Sequence, residues 1–318
     1  MMKILYLLSM ALLHLYGTCL EVGVTSGQSC SGNSVNIDSI TQSFSSNMEI
    51  TMGNYSLDIP LYVRSDSTDE ITMTLTGLAS LNNSVGADDI VMDYTFLNSS
   101  KNFIQTITDG QSFVLISIGG TASTGVRDGN TLVGYIRLAT NSNLQALQTS
   151  GAYSLSLNTK VTTGGAGNDS DSITANATVS AVTMVSFSNN VSGQKTGESF
   201  VNSTVNFGTL SLGGSNSTTA DVYLKNNVIK TNNRVTMSFT PVALKHETYP
   251  NNHEIGMNYS YTDGTTTTTI TDNTPFILKT GKQSGSKVGT MTFTMDALPS
   301  TLLAGTYNAS ITVTIKAE

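Results

Sequence analysis

Side chains able to do acid–base or metal chemistry are few in this chain, and they do not converge. Its three histidines are His14, His246 and His253. His246-Glu247 and His253-Glu254 repeat a short distance apart, in a polar stretch that also holds Pro250. A metal site needs His and carboxylate groups fixed on one scaffold, whereas this stretch reads as a loop between two strands. Asp66 with Asp69-Glu70, and Asp88-Asp89, read as solvated acidic turns. No Gly-x-Ser-x-Gly elbow, P-loop or paired-cysteine zinc pattern occurs. Catalysis has no residue set to carry it, so the expectation is a non-enzyme with no cofactor and no metal. Recognition chemistry has candidates in Arg64, Arg127 and Asp128, charged residues on the expected loops 64–70 and 119–130, because loops on a rigid scaffold carry binding. Tyr62, Tyr94 and Tyr135 offer flat faces for sugar rings, but Tyr94 matches Tyr259 in an internal repeat, and a residue kept in both copies reads as core.

The elements that would position these residues are strands. Only 12% of the 318 residues are charged, and Ser, Thr, Asn and Gly dominate the polar remainder. Thr and the β-branched aliphatics fit a pleated, half-buried surface. The formal net charge is −7 and no basic run occurs, which argues against nucleic-acid binding. Residues 1–19 read as a secretory signal, with Lys3 ahead of an apolar stretch from Ile4 to Leu15 and small residues at Gly17-Thr-Cys19. Cleavage after Gly17 would leave Cys19 and Cys30 able to pair, and cleavage after Cys19 would leave Cys30 alone; both remain open here.

A collinear internal repeat organises the rest. Ile71-Thr-Met73-Thr-Leu75 returns as Val235-Thr-Met237-Ser-Phe239, and Met92-Asp-Tyr94-Thr-Phe96 as Met257-Asn-Tyr259-Ser-Tyr261. Phe113-Val-Leu115 returns as Phe276-Ile-Leu278, and Gly151-Ala-Tyr153 as Gly305-Thr-Tyr307. Strand signals separated by turn clusters recur throughout, including one over Tyr307–Lys316. Two short stretches, Asn143–Leu147 and Ala297–Leu303, could form helical turns. The fold class expected is all-β: two tandem immunoglobulin-like β-sandwiches, residues 20–170 and 171–318.

At the junction, Ser172–Phe187 alternates apolar and polar residues, placing Ile173, Ala175, Ala177, Val179 and Ala181 on one face. Such a strand is long for one domain and could enter a neighbouring sandwich. A plain inter-domain linker with strand propensity is the other reading.

This alternating strand, followed by a sandwich that closes on Leu303-Ala-Gly305-Thr-Tyr307-Asn-Ala-Ser-Ile311-Thr-Val313-Thr-Ile315, resembles chaperone–usher pilins of the alpha (class 5) colonization-factor group. The first half is a diverged copy, with Ser150-Gly151-Ala-Tyr153 in place of Ala-Gly-x-Tyr. The resemblance implies pilin-type sandwiches that each lack one strand and are completed by β-strand addition. It implies as partners a periplasmic chaperone, an outer-membrane usher, other pilin subunits and, for an adhesin, a host-surface glycan or protein. It also implies export through the periplasm to a surface fimbrium. On that basis Ile173, Ala175, Ala177, Val179 and Ala181 are expected to be the donor strand filling the first sandwich in cis. Tyr307, Ile311, Val313 and Ile315 are expected to be the edge strand of an unfilled groove in the second. A chain ending at Glu318, with only Glu21-Val22-Gly-Val24-Thr ahead of its first domain, accepts a strand but offers a poor one. That pattern fits a fimbrial tip or minor subunit, an adhesin. A repeated shaft pilin and a secreted tandem-sandwich carbohydrate-binding protein are the alternatives.

Overall fold

The computed structural model describes residues 19–30, 34–48, 54–83, 88–118, 127–141, 147–164, 167–187, 197–201, 204–210, 213, 216–298 and 300–318. Residues 1–18 of the expected signal (1–19), residues 143–146 of the first expected helical turn and residues 119–126 lie outside the described residues. All regular structure described is strand, in two compact units: Met1–Met48, Met52–Ala146 and Ala152–Thr178 make the first, and Glu49–Thr51, Leu147–Gly151 and Val179–Glu318 the second, so that the terminal residues Gly151 of one strand and Val179 of another fall at the boundary. The expected turn of helix over Ala297–Leu303 is absent among the described residues of that stretch.

The first unit begins with β1 (Leu20–Gly23), β2 (Val35–Ile37), β3 (Ile40–Ser43) and β4 (Ser56–Ser65). Next come β5 (Ile71–Thr76), β6 (Leu81–Asn83), β7 (Asp89–Ile90), β8 (Met92–Asn98) and β9 (Phe103–Thr106). It closes with β10 (Ser112–Ile116), β11 (Asp128–Thr140), β12 (Gly151–Thr163) and β13 (Gly167–Val179). One sheet runs β2-β1-β4-β11-β8-β9, and the other β10-β5-β12-β13-β3, with β6 and β7 attached to β12. Burial alternates along the long strands, as β12 and β4 show, so each sheet turns one face inward. Phe96 of β8 and Phe113 of β10 meet across the sheets with ring centroids 5.2 Å apart.

The second unit repeats this plan with β14 (Val182–Phe187), β15 (Gly197–Val201), β16 (Ser217–Asn226) and β17 (Arg234–Ser238). Then follow β18 (Leu244–His246), β19 (Glu254–Ile255), β20 (Met257–Thr262) and β21 (Thr267–Thr269). The last four are β22 (Phe276–Thr280), β23 (Gln283–Met295), β24 (Tyr307–Asn308) and β25 (Thr314–Ala317). Its large sheet, β15-β14-β16-β23-β20-β21, matches the first unit's strand for strand. Side chains from that sheet (Phe187, Leu224, Tyr261, Phe293) pack with Val235, Met237 and Leu278 of β17 and β22 to make the core. Gly134 and Gly289 occupy the same place in β11 and β23. A Cβ at either would overlap a carbonyl of the neighbouring strand, Leu97 or Thr262.

Four sequence expectations need correction. The alternating stretch Ser172–Phe187 is two strands, and the first unit extends beyond residue 170 because β13 is hydrogen-bonded into its sheet beside β12. The break falls at Ser180-Ala181, where the buried Asn227 side chain takes the backbone: its Nδ2 donates to the Ser180 carbonyl at 2.8 Å and its Oδ1 accepts from the Val182 N–H at 2.8 Å. Ala181 therefore lies outside the strand and is exposed, unlike the other four residues named with it. Lastly, Tyr307–Lys316 is not one strand: β24 and β25 are separated by residues 309–313, which join no ladder.

Candidate functional site: a slot in the second unit

The two copies differ at one place. Among the described residues β13 has no counterpart in the second unit, nor has β3, which pairs in parallel with β13 through Ile40↔Ile173 and Ala175↔Gln42. The segment following β15, residues 204–210, forms no strand. Where the first unit has one continuous seven-stranded sheet, the second has two three-stranded fragments, β22-β17-β25 and β19-β18-β24, parted at residues 309–313.

Aligned residues show what the missing strand does. Val161 pairs with Met73 in the first unit and Ile315 with Met237 in the second, which fixes the correspondence of β12 with residues 305–317. In β12, Tyr153, Leu155, Leu157, Thr159 and Val161 are all buried, none above 4% exposure. Their counterparts are Tyr307, Ile311, Val313 and Ile315, all half-buried, and Ala309, which is exposed. Same fold, same pattern, different burial: the second copy's strand is pulled away from its ladder where no neighbour holds it.

The slot this leaves opens on the core. Ile311, Val313 and Ile315 from one side, with Val205 and Phe207 from the other, pack only partly against the buried cluster. Between them lies a cavity of about 330 Å³ reaching Phe187, Tyr259 and Phe293 on the facing sheet. A second cavity of about 810 Å³, lined by Leu210, Leu244, Leu298, Leu302 and Tyr307, continues it toward β24. Chemically this is a strand-shaped site, with apolar pockets along a backbone edge and without converging charge.

The first unit has that position occupied. Ile173, Ala175, Ala177 and Val179 are buried at 0%, 0%, 6% and 1% exposure, while Thr174 and Asn176 are half-buried. Thr159 Oγ1 adds a 3.0 Å hydrogen bond to the Asp171 carbonyl.

Elsewhere the predicted site residues hold the fold. Arg64 Nη1 donates to the Arg127 carbonyl at 3.1 Å, and Arg127 Nη2 donates to the carbonyls of Asp69 and Ser117. Desolvation lowers the Arg127 pKa, with the Asp69 charge opposing it. Asp128 caps a turn, accepting from the N–H groups of Asn130 and Thr131 and from the Thr131 hydroxyl, bonds that hold its carboxyl below the ordinary range. His246 Nδ1 accepts from the N–H of Thr248 at 3.1 Å, so its Nε2 is the group facing the Ala304 carbonyl at 3.3 Å. Tyr94 and Tyr259 are buried in both copies and donate to the carbonyls of Ala79 and Val242, each at 2.6 Å. Burial pushes Tyr94 up to about 12 and raises Tyr259 as well. Cys19, buried, is disulfide-bonded to Cys30, the pairing that retention of both residues permits. Asn227, Val205 and Phe207 are not among the residues the sequence points to. The two apolar residues sit in a Ser/Thr/Asn-rich run without clear alternation, and Asn227 acts through backbone groups, for which a sequence carries no signal.

No family model and no curated protein matches this chain. Among solved structures it is similar to a chain of the CsuC–CsuE chaperone–tip adhesion subunit pre-assembly complex from archaic chaperone–usher Csu pili of Acinetobacter baumannii, at 12% identity and TM-score 0.46, covering 93% of this chain and 99% of that one. It is also similar to CfaE, the adhesive subunit of CFA/I fimbria of enterotoxigenic Escherichia coli, at 12% identity and TM-score 0.36, covering 96% and 82%. The CooA pilin subunit from enterotoxigenic Escherichia coli gives 15% and 0.34, over 50% of this chain and 97% of that one. Likenesses this loose do not carry function across, which leaves the slot itself as the ground for a functional reading.

Proposed function

We propose that this chain is a chaperone–usher fimbrial subunit, at the tip or in a minor position, whose second sandwich accepts a β-strand from another subunit. One observation carries the reading: aligned inward residues of the two copies are buried where β13 lies beside them and half-open or exposed where no strand does among the described residues. An unfilled slot of this kind exposes apolar side chains and unpaired backbone together, a hazard that β-strand addition removes. A periplasmic chaperone would cover the slot first, an outer-membrane usher would receive the complex, and a subunit strand would then replace the chaperone.

In this reading β13 is the donor strand of the first unit, supplied in cis through Ile173, Ala175, Ala177 and Val179. The segment Cys19–Gly23 is tied by the Cys19–Cys30 disulfide and by pairing of β1 with β4 and β2, so it is not free to be donated. A chain that accepts a strand, with its described alternating strand used internally, suits the end of a head-to-tail fibre. The first unit is then the adhesin, meeting a host-surface glycan or protein.

The test appends an alternating apolar strand after Glu318 through a glycine linker. Residues 309–313 should become protected from hydrogen exchange and the second unit's melting temperature should rise. No change in either would sink the reading.

A further inference from the structure

We infer that Ala309 sets the size of the partner strand, which carries a large apolar side chain where β13 carries Ala175. This rests on the strand-acceptance reading above. β12 and β13 each contain 13 residues and are joined by residues 164–166. Neighbours in one sheet, equal in length and close in sequence, the two strands are inferred to run antiparallel with Thr163 opposite Gly167 and Gly151 opposite Val179. In that register Leu155 lies opposite Ala175, and Thr159, four residues further along, lies opposite Asp171, whose carbonyl accepts from Thr159 Oγ1. Directly opposed residues share a face of the sheet and touch. The first unit thus fills this point with one large and one small side chain, both buried.

In the second unit the residue aligned with Leu155 is Ala309, by the same correspondence that pairs Val161 with Ile315. The large member of the pair has become small. Ala309 also borders all three cavities at this end of the unit, of about 370, 810 and 330 Å³. A strand with alanine opposite Ala309 would leave this volume unfilled, and an unfilled apolar hole costs stability. A leucine, isoleucine or phenylalanine there would restore the pair with the sizes reversed. The β13 segment of a second copy is therefore a poor occupant, so the same exchange disfavours self-pairing of the chain.

The test uses the full chain and two synthetic peptides, Gly167–Val179 as it stands and the same peptide with Ala175→Leu. The substituted peptide should bind at least tenfold tighter and give stronger hydrogen-exchange protection over residues 307–313. The chain variant Ala309→Leu should abolish that advantage. Should the variant not fold, a peptide series with Val, Leu and Phe at position 175 on the unaltered chain carries the test, with affinity rising as the side chain grows. Equal affinities, or preference for the unsubstituted peptide, would overturn the size assignment while leaving strand acceptance intact. If no peptide protected residues 307–313, strand acceptance would fall as well.

Discussion

Replacing Ile173 by alanine probes whether β13 completes the first unit. Ile173 is fully buried and pairs with Ile40 of β3 in the strand that stands between β12 and β3. The change removes three carbons, which at about 0.8 kcal/mol each amounts to roughly 2.4 kcal/mol of lost transfer energy. The hole left behind raises this to about 3–4 kcal/mol, because a site held between two strands relaxes only partly. The chain has no tryptophan, so fluorescence offers no local probe of one unit. Amide hydrogen exchange does, read on peptides covering Leu155–Val161 of β12. A loss of 3 kcal/mol lowers protection there by roughly a hundredfold or more, since every 1.4 kcal/mol is tenfold. Thr174→Ala, the half-buried neighbour on the opposite face, is the control and should cost under about 0.5 kcal/mol. If Ile173→Ala changed β12 protection no more than Thr174→Ala does, β13 would be an accessory strand, and the contrast between the two copies would need another cause.

Three further outcomes follow from the same structure. In the free chain, amides of residues 309–313 should exchange at least about a hundredfold faster than those of 155–159, because the former join no ladder. Changing Cys19 and Cys30 to serine together should destabilise the first unit by about 2–3 kcal/mol in chemical denaturation, as expected for a cross-link over so short a loop, while exchange in the second unit stays unchanged. Asp58 accepts from Arg137 Nε at 2.6 Å and Nη2 at 2.9 Å, and these bonds, opposed by desolvation and helped by Lys101, hold its carboxyl below the ordinary value. A lowered folded-state pKa stabilises above the unfolded value and is lost as pH falls through the folded one. Asp58→Asn should therefore cost about 1 kcal/mol at pH 7, with the gap to the parent closing as the pH falls below about 4. A gap that stayed constant down to pH 2 would count against the ion pair as its source.

The repeat makes much of the fold legible in the sequence. Threonine-rich alternation placed the long strands, and matched pairs such as Tyr94 with Tyr259 marked core positions that both copies bury. Ile173, Ala175, Ala177 and Val179 could be read as one buried face because period two is a local signal. Ala181 could not, since the strand stops where Asn227, distant in sequence, captures the backbone on either side of it. The same limit hid the fraying of residues 309–313. Locally, Ile311-Thr-Val313-Thr-Ile315 alternates as cleanly as Leu155-Ser-Leu157-Asn-Thr159, and only the presence or absence of a neighbouring strand separates the two outcomes. Pattern reports what a segment can do; pairing depends on what is beside it.

That dependence is also why the duplication matters for function. A single sandwich with a loose last strand could be explained by weak propensity in that strand. Here the propensity is held nearly constant across two copies, and the large sheets match strand for strand. The sheet that contains β13 stays whole in the first unit, and its counterpart divides in the second, where the described residues include no such strand. The second unit nonetheless keeps a core of buried aromatics, with Phe239, Tyr259 and Phe293 in edge-to-face contact at centroid distances of 5.5 and 5.7 Å. It is a folded body with one seam undone, and the seam runs along the apolar interior. A segment that closed it would bury Ile311, Val313 and Ile315 and supply the ladder bonds that residues 309–313 do not make, coupling the hydrophobic and hydrogen-bonding terms in one step. That coupling makes strand acceptance a stronger reading of the second unit than a small-molecule pocket, which would fill the volume and leave the backbone edge open.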